Sequence, residues 1–541
     1  MMPNGPFALQ VIQALVKAGV HEFCVCPGAR NSPLSALLLE FPNLRVFYHF
    51  DERSAAFFAL GRIKATHRPV AVVTTSGTAV GELLPAAMEA HYTALPLVLV
   101  SADRPRSFRG SGAPQTAEQS GIFGIYAEKS LDLAAGEAID LQTWSSRYPL
   151  HLNVCFDEPL LDGLNVSNVK LAVAPPAPKA LPVSEKIKGE LQAFVARIPH
   201  PLAIISSLGA QDRGSVRRFL LETRMPAYFE AQSGLREDPA LEAQRVHVCD
   251  GLLDRAAAHG YPVDGVIRIG SVPTLRTWRD LEVKKLPVLS LSREPFSGLS
   301  GLKIAAQPIN QVLEAFLENA PSARASASVF LKRDQAALAE MEALFKKYPR
   351  SEPALFRALS ERLDDQARLF VGNSLPIREW DMAASFAPRT SEVAASRGLN
   401  GIDGQLSTFL GYCNPPHSNW AILGDLTALY DLSAPWILSQ LPSTLLTTLV
   451  IVNNQGGKIF SRMFPQREFQ NPHSIEFSSW AEMWSLPYDK WETVPSAQDR
   501  AIVDTSLGGE PAGARLRVIE LAPDTAQTDA LWRELTPIWK N

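Results

Sequence analysis

Short apolar runs rich in β-branched residues recur along this 541-residue chain, separated by stretches with helical periodicity. That alternation constrains the fold more than any other feature. Strands joined by helical crossovers lie parallel in one sheet, with helices covering both faces. In the first third the runs fall at 21–26, 44–49, 70–75 and 96–101, with helix-period stretches around 52–65 and 78–92. They return at 202–207, 265–270 and 287–292, then at 369–372, 421–424, 446–453 and 516–520. Several, such as VAVVTT at 70–75, are apolar at consecutive positions, which predicts strands buried on both faces.

Two shifts in composition divide the series. Residues 173–183 (VAPPAPKALPV) are proline-rich and read as a stiff, extended linker. Residues 320–328 (APSARASAS) are small and polar, poor in structure formers. The expected architecture is therefore α/β, with three doubly wound parallel-sheet domains at 1–178, 184–320 and 335–541. The length agrees at about 150 residues per domain.

Hydrophobic residues make up 46% and charged residues 20%, the balance of a soluble globular protein. Net charge is only −4 with no basic block, which argues against nucleic acid and leaves anion binding to individually placed arginines. The five cysteines include Cys24-Val25-Cys26, too tight for an ordinary disulfide or zinc knuckle, so reduced thiols in the cytoplasm are expected. The N-terminus lacks a cationic leader and reads as an amphipathic helix with Leu9, Ile12, Leu15 and Val16 on one face. Asn4 or Gly5 would cap it, and Pro6 would sit in its first turn. No apolar run approaches the roughly 18 residues that span a bilayer.

The chemistry concentrates at strand ends. The run 421–424 ends in Gly424-Asp425, and 447–453 ends in Asn453-Asn454-Gln455-Gly456-Gly457. Their separation suits one strand–helix–strand crossover, so both tips can meet at the carboxyl edge of a sheet, where such folds bind ligands. A carboxylate, an amide oxygen and a backbone carbonyl are hard donors suited to Mg²⁺ and a diphosphate. The same residues also fit a plain turn and a helix-capping aspartate. In the first unit, Glu52 stands at a helix start after an apolar run, either as a site carboxylate or as a first-turn acid. Thr74-Thr75-Ser76-Gly77-Thr78 suits close approach of a flat ring, or a capped helix start.

Taken jointly these blocks resemble the thiamine-diphosphate-dependent enzymes, in which a pyrimidine-binding unit comes first, a central unit follows and a diphosphate-binding unit comes last. The family's Gly-Asp pair followed by Asn-Asn is matched by Gly424-Asp425 and Asn453-Asn454. Further blocks are similar to those of the SEPHCHC synthases within that family. They are Pro27-Gly28-Ala29-Arg30, Asp51-Glu52-Arg53-Ser54, Thr75-Ser76-Gly77-Thr78, Ala102-Asp103-Arg104-Pro105 and Gly112-Ala113-Pro114-Gln115. Gly372-Asn373-Ser374-Leu375-Pro376-Ile377-Arg378, Arg397-Gly398-Leu399-Asn400-Gly401-Ile402-Asp403-Gly404 and Gly456-Gly457-Lys458-Ile459-Phe460 complete the series.

The resemblance implies thiamine diphosphate with Mg²⁺ or Mn²⁺ held by Asp425, Asn454 and Gly456. Leu426, Thr427, Gly457, Ile459 and Phe460 would lie around the cofactor, as would Thr75, Ser76, Gly77, Asn400 and Gly401. Glu52 would hold a proton on the aminopyrimidine, and Ile402 would support the bent cofactor. The implied substrates are 2-oxoglutarate and isochorismate, both multiply anionic. Guanidinium groups pair bidentately with carboxylates, which gives Arg30, Arg104, Arg276, Arg378 and Arg397 a role beside Gln115 and Ser374. Taken singly, each arginine also fits a surface position. The implied assembly is a homodimer or homotetramer with its active sites between subunits. Other readings are a thiamine-diphosphate enzyme of a different 2-oxo acid, and a non-catalytic homologue. The chain departs from the pattern at Ala29, where a serine is usual, and at Gln455; Arg276 is a weak match.

Overall fold

The computed structural model describes residues 3–163, 169–171, 179–318, 327–364, 366–388, 392–464, 466–495 and 515–540. The expected linkers at 173–183 and 320–328 fall largely outside them. Three sheets account for the apolar runs, and every strand pair in them is parallel. The first contains β1 (Glu22–Val25), β2 (Arg45–Tyr48), β3 (Val70–Thr74), β4 (Leu97–Asp103), β5 (Lys129–Leu133) and β6 (Leu150–Cys155), in the order β2-β1-β3-β4-β6-β5. The second contains β7 (Pro201–Ile205), β8 (Ala227–Phe229), β9 (Arg245–Val246), β10 (Gly265–Ile269) and β11 (Val288–Leu291), in the order β11-β10-β7-β8-β9. The third contains β12 (Arg368–Val371), β13 (Val393–Ala394), β14 (Ser418–Gly424), β15 (Leu446–Val452), β16 (Tyr488–Trp491) and β17 (Arg515–Leu521), in the order β13-β12-β14-β15-β17-β16.

These are the doubly wound parallel sheets that the alternation predicts. Residues of β3, β4, β7 and β10 are buried throughout, as expected of strands covered on both faces. In the first sheet the strand order reverses between β1 and β3, and in the third between β12 and β14. Open α/β sheets bind ligands at such reversals, where successive crossovers leave to opposite faces and a crevice opens at the carboxyl ends. The loops after β1 and β3 carry Gly28 to Arg30 and Thr75 to Gly77. Those after β12 and β14 carry Ser374 and Asp425.

The first and third sheets share one hydrophobic core. The helix Glu52–Thr66 is buried on nearly every side, because SAAFFALG offers small or apolar residues all round. It packs on the helix Gln405–Tyr412, with Phe57, Phe58, Leu60, Phe409 and Leu410 in the same cluster. The two helices approach so closely that a Cβ at Gly61 would lie 2.0 Å from the Thr408 carbonyl oxygen, and one at Gly411 2.1 Å from the Phe58 oxygen. Only glycine permits that spacing.

Two local expectations are corrected. The N-terminal helix runs Asn4–Lys17 with Pro3 at its cap position and no side-chain cap from Asn4 or Gly5. Asn4 Nδ2 instead donates to the carbonyls of Asp157 and Pro159 (2.5 and 2.8 Å), and the Gly5 amide donates to Asp162 (2.9 Å), so a distant segment caps the helix. The stretch 78–92 forms two helices, Thr78–Gly81 and Leu84–Tyr92, because Pro85 cannot donate to a preceding turn and starts a new helix. All five cysteines are free thiols. Among the described residues, no helix is long and apolar enough to cross a membrane.

Candidate functional site

At the edge of the third sheet, β14 delivers Asp425 to the first position of the helix Asp425–Tyr430, 2% exposed. Its Oδ1 accepts from the Leu426 amide (2.7 Å) and its Oδ2 from the Gly456 amide (2.8 Å), which joins the tips of β14 and β15. The His473 imidazole Nε2 lies 3.2 Å from the same Oδ2. Burial raises the Asp425 carboxyl, against the opposing effect of those two amides and the imidazole. Gly456 has φ +133°, and a Cβ there would meet the Gln470 carbonyl oxygen at 2.5 Å, so the loop can turn here only with glycine. The Gly456 carbonyl accepts from Lys458 N (2.9 Å), and Gly457 lies against Leu426 and Phe460. Ile459 is half-buried and Phe460 is exposed.

Asn454 completes this corner. Its Nδ2 donates to both carboxylate oxygens of Glu352 (3.1 and 3.0 Å), while its Oδ1 is buried and has no hydrogen-bond partner. A buried amide oxygen without a partner costs free energy unless something binds it. That atom, the Asp425 carboxylate and the Gly456 carbonyl are a set of hard oxygen donors, which fits a small divalent cation. Behind them lies a cavity of about 730 Å³, lined among others by Glu352, Glu379, Lys458, Arg462 and Trp532. Burial pushes Glu352 up to about 7, with the nearby Asp425 charge adding to it.

A second group forms at the end of β12. Asn373, fully buried, donates from Nδ2 to the carbonyls of Ser396 and Gly401 (both 2.7 Å), and its Oδ1 accepts from Arg397 Nη1 (2.6 Å). One amide thus fixes the loop carrying Arg397, Asn400, Gly401 and Ile402. The Glu89 carboxylate holds the same loop by accepting from Gly398 N (2.9 Å) and Leu399 N (2.8 Å). Burial lowers the Arg397 guanidinium to about 10, and its Nε is buried without a hydrogen-bond partner. A cavity of about 760 Å³ opens beside it, bounded by Tyr92, Phe296, Lys303, Arg397 and Asn400, where all three units meet. Ser374 caps the helix Leu375–Ala383 at φ +72°, and its carbonyl accepts from Arg378 Nη1 (2.5 Å).

The first sheet gathers a third group. Glu52 opens its helix behind Asp51, whose side chain accepts from Ser54 N (3.0 Å). Burial raises the Glu52 carboxyl, reinforced by the charges of Asp51 and Glu82. Ser54 also donates to Asp431 (3.0 Å) and Ser433 donates to Asp51 (2.6 Å), so this helix start is tied to the third unit. The Gly77 amide donates to Gln119 Oε1 (3.1 Å), and a Cβ on Gly77 would be 3.3 Å from the Gln115 backbone. Arg104 donates to the Pro114 carbonyl (3.2 and 2.8 Å), and so borders the same loop. Arg30, 8% exposed, is held at the end of β6 by the Phe156 carbonyl (3.1 Å) and Glu158 (3.3 Å).

The structure thus brings Asp425, Leu426, Asn454, Gly456, Gly457 and Phe460 together. Arg397, Asn400, Gly401 and Ile402 share one loop tied to Asn373 at the end of β12, beside Ser374 and Arg378. Thr75, Ser76, Gly77, Gln115 and Arg104 form the third group. Thr427 is buried on the Asp425 helix. Among the described residues, no hydrogen bond or ion pair links Glu52 to Asp425 within the chain. Arg276 begins the helix Arg276–Lys284 in the second unit, and its side chain lies outside the described residues. Sequence reasoning did not single out Asn373, Glu89, Glu352, Glu379, Gln119 or His473. Only Asn373 lay in a motif that could have signalled it.

Parallel sheets with polar groups at their switch-point ends mark a ligand-binding α/β protein, and the sequence comparisons place it in the thiamine-diphosphate-dependent class. Residues 7–122 match the thiamine pyrophosphate enzyme N-terminal TPP binding domain. The chain is 43% identical, over all of both chains, to the 2-succinyl-5-enolpyruvyl-6-hydroxy-3-cyclohexene-1-carboxylate (SEPHCHC) synthase of Bdellovibrio bacteriovorus. It is 36% identical to the synthase of the same name from Akkermansia muciniphila, over 98% of each chain. With that of Chloroflexus aurantiacus it shares 32%, over 98% of this chain and 95% of the other. The chain belongs to the SEPHCHC synthase family.

Proposed function

We propose that this chain releases CO₂ from 2-oxoglutarate and joins the remaining succinyl-type fragment to isochorismate, giving SEPHCHC for menaquinone or phylloquinone synthesis. The observation that carries the reading is the buried, unpartnered Asn454 Oδ1 in the loop whose Gly456 amide binds the Asp425 carboxylate, in a chain similar end to end to synthases of that name. Thiamine diphosphate, when bound, supplies the electron sink that decarboxylation of a 2-oxo acid needs and that no side chain provides.

Asp425, Asn454 and the Gly456 carbonyl would hold Mg²⁺ or Mn²⁺, with Leu426, Thr427 and Gly457 around the diphosphate. Glu52, whose burial favours the protonated carboxyl, would share a proton with the pyrimidine ring, and Thr75, Ser76 and Gly77 would border that ring. Asn400, Gly401 and Ile402 would support the cofactor from the loop that Asn373 fixes. Arg30, Arg104, Arg276, Arg378 and Arg397 would receive the substrate carboxylates. Gln115 and Ser374 would add neutral hydrogen bonds, and Ile459 with Phe460 would exclude water. Glu52 and Asp425 would act on one cofactor from two subunits, so the active form would be a homodimer or homotetramer. We retain units at 1–178, 184–320 and 335–541 as the proposed domain limits.

The test incubates the chain with 2-oxoglutarate, isochorismate, thiamine diphosphate and Mg²⁺ and identifies the product by mass. SEPHCHC and CO₂ in equal amounts are expected. Release of CO₂ from pyruvate exceeding that from 2-oxoglutarate, with no adduct of isochorismate, refutes the assignment.

A further inference from the structure

Glu352 is not near the matched motifs in sequence, standing 102 residues before Asn454. It opens the helix Glu352–Arg362 and is 3% exposed, its backbone amide held by Thr528 Oγ1 (3.0 Å). Both of its oxygens face one nitrogen, Asn454 Nδ2, at 3.1 and 3.0 Å. A primary amide presents a donor on one side and an acceptor on the other, and here both Glu352 oxygens accept from the donor side. The contact therefore dictates the amide's orientation: Nδ2 faces Glu352 and Oδ1 takes the opposite side, where it lies buried and unpartnered. Glu379, 2% exposed, is in hydrogen-bond contact with Glu352.

We propose that Glu352, backed by Glu379, is a positioning residue that sets which end of the Asn454 amide the divalent cation meets. Without it, Nδ2 and Oδ1 compete for the inward position, and the nitrogen end repels a cation. The inference rests on the cation-site reading above and deepens it. It assigns a role to two buried acids that the proposed reaction does not otherwise use.

The test measures the Mg²⁺ Kd of the full chain by calorimetry with saturating thiamine diphosphate, for Glu352→Ala, Glu352→Gln and Asp425→Ala. Outer-shell partners of metal ligands are worth about 10–100-fold in affinity, so Glu352→Ala should weaken Mg²⁺ by about tenfold or more, and Glu352→Gln, whose amide oxygen still accepts from Nδ2, by no more than about threefold. Turnover of Glu352→Ala should recover toward wild type as Mg²⁺ is raised, with KM for the 2-oxo acid unchanged, which a merely structural defect would not do. An unchanged Mg²⁺ Kd in a folded Glu352→Ala protein overturns the inference. Should that variant lack a cooperative melt, Glu352→Gln decides: near-native affinity supports the role of an acceptor, and a loss beyond about tenfold overturns it. Asp425→Ala separates the two readings. Loss of Mg²⁺ there with none in Glu352→Ala sinks only the positioning role, whereas retained Mg²⁺ in Asp425→Ala sinks the cation site itself.

Discussion

Gly61→Ala would strike the crossing that aligns the first unit with the third. The new Cβ would lie 2.0 Å from the Thr408 carbonyl oxygen, 2.7 Å from the Tyr412 nitrogen and 2.8 Å from the Gly411 Cα. All three are backbone atoms, so no rotamer change relieves the overlap. Carbon–oxygen contacts begin near about 3.3 Å, and the helices Glu52–Thr66 and Gln405–Tyr412 must therefore part by roughly 1 Å. That loosens Phe57 and Phe58 from Phe409 and Leu410 in the shared core. Overpacking typically costs about 1–3 kcal/mol, and a clash of backbone on backbone belongs at or above the top of that range. Against a total stability of about 5–15 kcal/mol this is a large loss. The helix begins at Glu52, so the displacement also moves the carboxyl, and a misplacement of about 1 Å at a reacting group can cost about 100-fold in rate. Urea unfolding followed by tryptophan fluorescence checks the first effect, and turnover the second. Gly189→Ala is the control: it lies on an exposed helix where a Cβ meets nothing within 4 Å, and should gain up to about 1 kcal/mol. A Gly61→Ala midpoint equal to that of wild type would refute the close crossing.

Glu52→Gln should leave the fold and Mg²⁺ affinity near wild type while turnover falls by about 100-fold or more, and a nearly normal rate would remove Glu52 from its assigned role. Asp425→Ala should abolish retention of thiamine diphosphate, so unchanged cofactor affinity in calorimetry contradicts the site. Glu230 is pushed from its ordinary 4.5 up to about 8 by burial, with the Asp381 charge adding to the shift. It binds its proton more tightly folded than unfolded, so its contribution to stability is complete below pH 4.5 and is lost as pH rises through about 8. Urea midpoints taken across that window should fall with pH, and less steeply in Glu230→Gln; equal slopes contradict the buried-acid account. Asn373→Ala should free the loop around Arg397 and lower kcat/KM by about tenfold or more, the loss expected when a group that orients a reacting residue is removed. Wild-type kinetics would show that the loop holds without it.

The sheets were legible because strand and helix periods are written in neighbouring residues. Runs such as 70–75 and 446–453 became β3 and β15 with ends within a residue or two. The strands β5, β6, β8, β9, β13 and β16 were not anticipated: β9 and β13 have only two residues each, and KSLDL in β5 alternates polar and apolar without a β-branched run. Asp425 and Asn454 could be picked out because each follows an apolar strand and their spacing matches one crossover. Asn4 was misread as a cap, since its partners Asp157 and Pro159 lie on the far side of the first unit's sequence. Glu352, Glu379 and His473 had no signal at all. Each sits in an ordinary helix start, helix or loop, and gains meaning only from what it faces.

Taken alone, the order of residues determined that strands would alternate with helices, lie parallel and end in polar groups. Periodicity and turn chemistry act between positions a few residues apart, so they survive in a linear reading. Only the tertiary structure decided which strand ends became neighbours, that two helices would cross at Gly61 and Gly411, and which way the Asn454 amide turns. Those outcomes depend on contacts between segments well separated in the sequence, from the 31 residues between Asp425 and Gly456 to the 349 between Arg62 and Gly411. There many pairings satisfy the local pattern equally well, and close packing of the whole chain selects one.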